Sequence, residues 1–147
     1  MKLIVDADAC PVKDIIIEVG HSYQLPILMV CSYSHYSRPI AGVENIMVDN
    51  IAQAADMVIM NRVKAGDIVV TQDYGLASIV LAKGAMALHH TGKRYTTDNI
   101  DSLLFQRHVS AKVRRAGGKT KGPKPFTSED KEKFRKVLIE CCSQGRL

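Results

Sequence analysis

Tryptophan is absent from this chain of 147 residues, and aromatic residues make up only 5% of it. A broad aromatic platform for stacking nucleic-acid bases is therefore not expected. Cysteine is sparse too: Cys10, Cys31, Cys141 and Cys142, with no CxxC pair. That excludes a zinc ribbon and a disulfide framework, and leaves reduced thiols in a cytoplasmic protein as the simple reading. No apolar run approaches the roughly 20 residues needed to span a bilayer, so no membrane association is expected. The opening Met-Lys-Leu-Ile-Val-Asp, with two acids by residue 8, does not resemble a signal peptide. Walker A, GxGxxG and HExxH motifs are all missing. What remains is an ordinary globular composition, 46% hydrophobic and 24% charged. The length suits one domain able to bury about two-thirds of its unfolded surface.

Charge is unevenly spread. The net charge is +5. Residues 1–106 hold 8 Lys/Arg against 11 Asp/Glu, a net −3, whereas residues 107–147 hold 12 against 4, a net +8. Arg107, Lys112, Arg114, Arg115, Lys119, Lys121 and Lys124 come with no acid among them. A basic tail on an acidic body points to a polyanionic partner, nucleic acid first. Gly117-Gly118 and Gly122-Pro123 lie in the same stretch, where glycine lets backbone approach phosphate. The plainer alternative is a solvated basic surface.

Hydrophobic periodicity alternates between strand and helix. Leu3–Val5, Ile27–Cys31, Asn45–Val48, Asp67–Thr71 and Ala85–His89 read as strands. Helices are expected from Pro11 to a stop at Gly20, over about 51–64, over Tyr74–Lys83, over about 97–115 and over about 128–142. Thr91 to Arg94 reads as a turn, residues 116–126 as a Gly/Pro/Lys loop, and Thr127 with Asp130 as a capping box. Such alternation predicts βαβ units in one domain over residues 1–147, with a mainly parallel sheet of about five strands. The basic loop and terminal helix occupy about 116–147. Ligands of such sheets bind at the carboxyl ends of the strands.

That rule singles out acids. Asp6 and Asp8 follow the first strand, and Asp73 lies just past the Asp67–Thr71 strand. Asp67 opens that strand at the other end and is excluded. Asp56 shares a helical face with Ala52, Gln53, Ile59 and Met60, a costly place for an unpaired carboxylate. Mg²⁺ or Mn²⁺ held by Asp6, Asp56 and Asp73 would relieve the cost, with Asp8 assisting. Such an ion activates water and stabilises charge at phosphorus. Each acid also has a plainer role: Asp8 as a cap for the helix at Pro11, Asp73 as a turn or cap residue, Asp56 as a solvent-facing residue. His89 and His90 follow a strand within reach of a substrate, although a plain surface role is simpler. Met29, Met47, Met57, Met60 and Met86 read as core.

Ala54-Ala55-Asp56-Met57-Val58-Ile59 and Ala65–Ala77 resemble the third and fourth acidic motifs of PIN-like nucleases, and Asp6 falls where that superfamily places its first acid. More closely, the chain resembles the bacterial YaiI/YqxD family of PIN-like proteins. The matching segments are Val5–Lys13, Thr71–Ala77, Gly92-Lys93-Arg94-Tyr95-Thr96 with Asn99-Ile100, and Gly122-Pro123-Lys124-Pro125-Phe126. The resemblance implies a PIN-like three-layer α/β fold. It departs from the nucleases in one respect: residues 32–43 hold no acid where they usually supply one.

Three functions follow as expectations. The first is a Mg²⁺- or Mn²⁺-dependent ribonuclease whose catalytic acids are Asp6, Asp8, Asp56 and Asp73, with Arg114, Arg115, Lys119, Lys121 and Lys124 holding RNA through its phosphates. The second is a non-catalytic protein binding RNA or another nucleic acid. The third is a phosphatase, since Asp6-Ala7-Asp8 has the DxD form of haloacid-dehalogenase-like enzymes; Cys10 and the missing downstream motifs weigh against it. A homo-oligomer is compatible with all three.

Overall fold

Apolar residues at 3–5, 27–31 and 68–70 are buried on both sides, as expected of central parallel strands covered by helices on both faces. They form β1 (Leu3–Asp6), β2 (Ile27–Ser32) and β4 (Ile68–Val70). With β3 (Val43–Val48), β5 (Met86–Leu88) and β6 (Arg94–Tyr95) they make one sheet of order β3-β2-β1-β4-β5-β6. The first five strands are parallel, and β6 runs antiparallel to β5. The structure is a computed structural model that describes residues 1–8, 10–32, 39–49, 53–117 and 125–144, apart from the side chain of Arg107.

Five helices complete the described chain: α1 (Lys13–Ser22), α2 (Ala54–Arg62), α3 (Tyr74–Ala82), α4 (Thr97–Arg115) and α5 (Ser128–Gln144). Strand parity divides the core between two layers. Leu3 and Val5 join Ile16 of α1 and Phe134, Leu138 and Cys142 of α5 on one face. Ile4 and Val69 join Ile59 of α2, Val80 of α3 and Leu103 of α4 on the other. The result is the expected three-layer α/β architecture. No helix among the described residues is long and apolar enough to cross a membrane.

Several local expectations change. The sheet has six strands, not about five: Arg94–Tyr95 pairs with β5 where a turn was expected. Two residues carry little periodicity, but Tyr95 is only 1% exposed and donates its hydroxyl to the Thr71 carbonyl at 3.2 Å. Gly20 does not stop α1, which runs on to Ser22. A Cβ there would lie 2.6 Å from Ile27 Cδ1, so the glycine permits close contact between helix and strand. Asp8 does not cap α1; the N-cap is Val12, without a side-chain bond. Met57 is 60% exposed and Met47 is exposed too, so neither is core. The capping box of α5 is present: Thr127 N–H donates to Asp130 Oδ2 at 3.0 Å, and Asp130 N–H to Thr127 Oγ1 at 3.2 Å.

Candidate functional site

β1 is the point where the strand order reverses, with β2 and β3 on one side and β4 and β5 on the other. Loops leaving the carboxyl ends of β1 and β4 turn opposite ways there and open a crevice. Val5 pairs with Val70, which puts Asp6 level with Thr71 on the neighbouring strand. The Thr71 hydroxyl donates to Asp6 Oδ2 at 3.1 Å and accepts from Asp73 N–H at 3.0 Å. Asp73 Oδ1 accepts from Gly75 N–H at 2.9 Å and Leu76 N–H at 3.2 Å, capping α3. Asp8 reaches across to the end of β2, where Ser32 N–H approaches its two oxygens at 3.1 and 3.3 Å. The capping role foreseen for Asp73 and its placement at the crevice therefore coexist.

Burial, first, pushes the Asp6 carboxyl above its ordinary range; the Thr71 bond opposes this, while Asp8 and Asp73 add to it as like charges. Asp8 and Asp73 are thus each close enough to act on Asp6. Asp56 sits elsewhere: it is half-buried in the first turn of α2 and shares a cavity of about 630 Å³ with Asp73, Met57 and Ile79. Asp73 is common to both arrangements. As the side chains stand, no three His, Cys, Asp or Glu groups among the described residues are grouped to hold one ion.

Arg114 and Arg115 are exposed in the last turn of α4, beside an open cavity of about 650 Å³ that Leu104 and His108 also line. Basic side chains at a helix carboxyl end also suit the helix dipole. Lys119, Lys121 and Lys124 lie outside the described residues. Asp67, excluded on sequence, is 4% exposed at the amino end of β4. It accepts from Lys2 N–H at 3.0 Å, Lys2 Nζ at 2.6 Å and Lys64 N–H at 2.8 Å, a purely architectural set. Burial raises the Cys10, Cys31 and Cys141 thiols, so none is an activated nucleophile.

Sequence reasoning missed Thr71, the link between Asp6 and the Asp73 backbone. Strand parity was its available signal. It also passed over a group of rings at the ends of β5 and α5. His89 and His90 are half-buried, not plain surface residues, with centroids 4.1 Å apart.

A profile of the family described as "Uncharacterized BCR, YaiI/YqxD family" matches residues 4–144, which include all four predicted acids. The chain belongs to the YaiI/YqxD family. It is 58% identical over 140 residues to a UPF0178 protein of Bacillus cereus (strain G9842), covering 94% of this chain and 96% of that one. A UPF0178 protein of Bacillus mycoides (strain KBAB4) is 58% identical over 137 residues, 92% of this chain and 94% of the relative. One of Bacillus thuringiensis subsp. konkukian (strain 97-27) is 58% identical over 140 residues, 94% and 96% of the two chains. No solved structure matches this YaiI/YqxD protein significantly.

Proposed function

We propose that this YaiI/YqxD protein is a divalent-metal-dependent nuclease acting on RNA. The observation that carries the reading is the Thr71 hydroxyl joining Asp6 to the Asp73 backbone at the strand-order reversal, where burial first, and then the like charges of Asp8 and Asp73, raise the pKa of the half-buried Asp6 carboxyl. Carboxylate oxygens suit a hard divalent cation, and Mg²⁺ is commonly held by one or two carboxylates together with substrate phosphates. Asp6 and Asp73 would hold such an ion, with Asp8 beside them and Asp56 facing from α2. When bound, it supplies Lewis-acid stabilisation of charge at phosphorus and a more acidic water. The resemblance of residues 54–59 and 65–77 to acidic nuclease motifs supports the same reading.

The chain's own groups supply position. Thr71 holds the Asp6 carboxylate by its hydroxyl, and the α3 amino terminus holds Asp73 by two backbone N–H groups. Arg114 and Arg115, with Lys119, Lys121 and Lys124, would neutralise phosphates along the strand.

Asp73→Asn is the sharpest test, because an asparagine oxygen still caps α3 while the charge is lost. A labelled RNA in Mn²⁺ should be cut by the wild type and left intact by the variant, with both proteins folded. Equal cleavage by both would refute the assignment.

A second reading, RNA binding without catalysis, is favoured by the lack of any three-ligand group among the described residues. It expects salt-sensitive RNA binding with no cleavage in Mg²⁺ or Mn²⁺. Replacing a phosphate-binding lysine or arginine of the tail by alanine should lower the log–log salt slope by about 0.7.

A further inference from the structure

Few aromatic residues are available, yet the fold sets five rings in a row from four separate segments. Tyr74 meets Tyr95 edge-on at 5.8 Å, Tyr95 meets His89 at 6.3 Å, His89 lies 4.1 Å from His90, and His90 meets Phe126 edge-on at 5.5 Å. Tyr95 is buried and backs the row, while the other four are half-buried. Those four line a cavity of about 940 Å³, near the upper end of the usual ligand-pocket range of about 300–1,000 Å³.

Its polar groups are arranged selectively. Burial, with smaller contributions from His90 and Lys93, lowers the His89 pKa to about 4, and burial lowers that of His90 as well. Both shifts favour the neutral imidazole, which carries no charge to attract phosphate. Thr91 ties the His89 ring down, its N–H 3.2 Å and its hydroxyl 2.8 Å from Nδ1. Positive charge comes from Lys93 and Lys133, exposed side chains that line the same cavity, against one carboxylate, Asp130, which accepts from Thr127 N–H at 3.0 Å. Gly92, at φ +87°, brings the β5–β6 turn against the α5 backbone at Lys133 and Phe134, where a Cβ would come within 2.9 Å. Gln72 and Tyr74, the chain neighbours of Asp73, form part of the wall.

We propose that this cavity is a nucleobase subsite for single-stranded RNA, seating a base on the His90 and Phe126 rings while Lys93 and Lys133 meet the adjoining phosphates. The inference rests on the nuclease reading for its polymer, and extends it by placing the strand. Gln72 and Tyr74 flank Asp73 in the sequence and line the cavity, so a strand held at Asp73 would have the cavity beside it. Neutral, half-buried rings with flanking lysines suit stacking between charged phosphate contacts, the usual arrangement of single-strand binders.

The test is fluorescence anisotropy with a short phosphorothioate oligoribonucleotide, intact or with single abasic positions, in Mn²⁺ and in EDTA. The proteins are the wild type, His90→Ala and Phe126→Leu, the last keeping apolar bulk against the core; a thermal melt of each confirms folding. The wild type should lose affinity about tenfold when one particular base is removed. Each variant should bind the intact strand about tenfold more weakly and show no further loss with the abasic one. A merely structural role would lower both affinities equally and keep the abasic penalty, which overturns the subsite. Unchanged binding by both variants overturns it as well. Cleavage of ordinary RNA is scored separately: base-dependent binding without cleavage keeps the subsite and refutes the nuclease reading, and cleavage with base-independent binding does the reverse. No binding by the wild type refutes both.

Discussion

Asp6→Asn should move stability and activity in opposite directions. The amide keeps an oxygen to accept from Thr71 Oγ1, now at 3.1 Å, so the link between β1 and β4 survives. What disappears is a charge that is half-buried and faces Asp8 and Asp73. Relief of such functional-site strain is commonly worth about 1 kcal/mol. For a domain of this size that is a rise in Tm of about 3–4 °C, measured in EDTA. Mn²⁺ reverses the order. An ion at about one hundred times its Kd stabilises the wild type by about 2.7 kcal/mol, or about 8–10 °C, and the variant by nothing. Calorimetric melts in EDTA and across a Mn²⁺ series therefore give two curves that cross. A variant less stable than the wild type in EDTA would mean that the Asp6 carboxylate is a structural group. Parallel shifts with Mn²⁺ would mean that the ion binds elsewhere.

Three further outcomes are expected. His89 is held neutral to about pH 4 from an ordinary value of 6.5, so the unfolded chain takes its proton first and stability falls as pH drops through that window. The full effect would be about 3 kcal/mol, reduced by solvent at the half-exposed ring to about 1–2 kcal/mol; urea melts at pH 7 and 4.5 should show it in the wild type and not in His89→Gln. Asp67→Ala should cost about 3 kcal/mol by stranding Lys2 and the Lys64 N–H; an unchanged urea midpoint would contradict the role assigned to it, and RNA cleavage per folded molecule should stay the same. Gly92→Ala should cost about 2 kcal/mol through collision with α5 at a positive φ, read as a lower Tm together with weaker RNA binding at the cavity beside it.

The parts of this architecture that were legible in the amino-acid sequence are those with local periodicity. Leu3–Val5, Ile27–Cys31 and Ile68–Val70 announce buried strands because each is a short apolar run closed by a polar residue. Asp6 and Asp73 then follow from the rule about carboxyl ends. Asp8 illustrates the limit: a cap three or four residues ahead is a local inference, but Ser32 N–H, which it accepts from, lies 24 positions away. Met57 departs from the expected core for a related reason. Ile59 is the buried residue of α2, so helical phase had to be inferred from neighbours that are themselves half-exposed. The ring row was invisible for a third reason. Its members stand at 74, 89, 90, 95 and 126, and only the antiparallel return at β6 and the descent of α5 bring them together.

The central place of β1 also bears on the order in which the molecule assembles. β1 and β2 are paired across a short crossover, Leu3 with Ile27, whereas Leu3 meets Ile68 only after 65 residues. Closing the longer loop carries the greater entropic cost. The difference in closure cost predicts that Asp6 folds into a local βαβ unit before β4 arrives, with its encounter with Asp73 left to the late docking of that strand. Like-charge repulsion at the crevice would then spare the folding rate and quicken escape from the native state. A chevron of Asp6→Asn in EDTA should accordingly differ from the wild type in its unfolding arm. The acids that define the crevice would set how long the folded molecule persists without a cation, while leaving the speed of its formation alone.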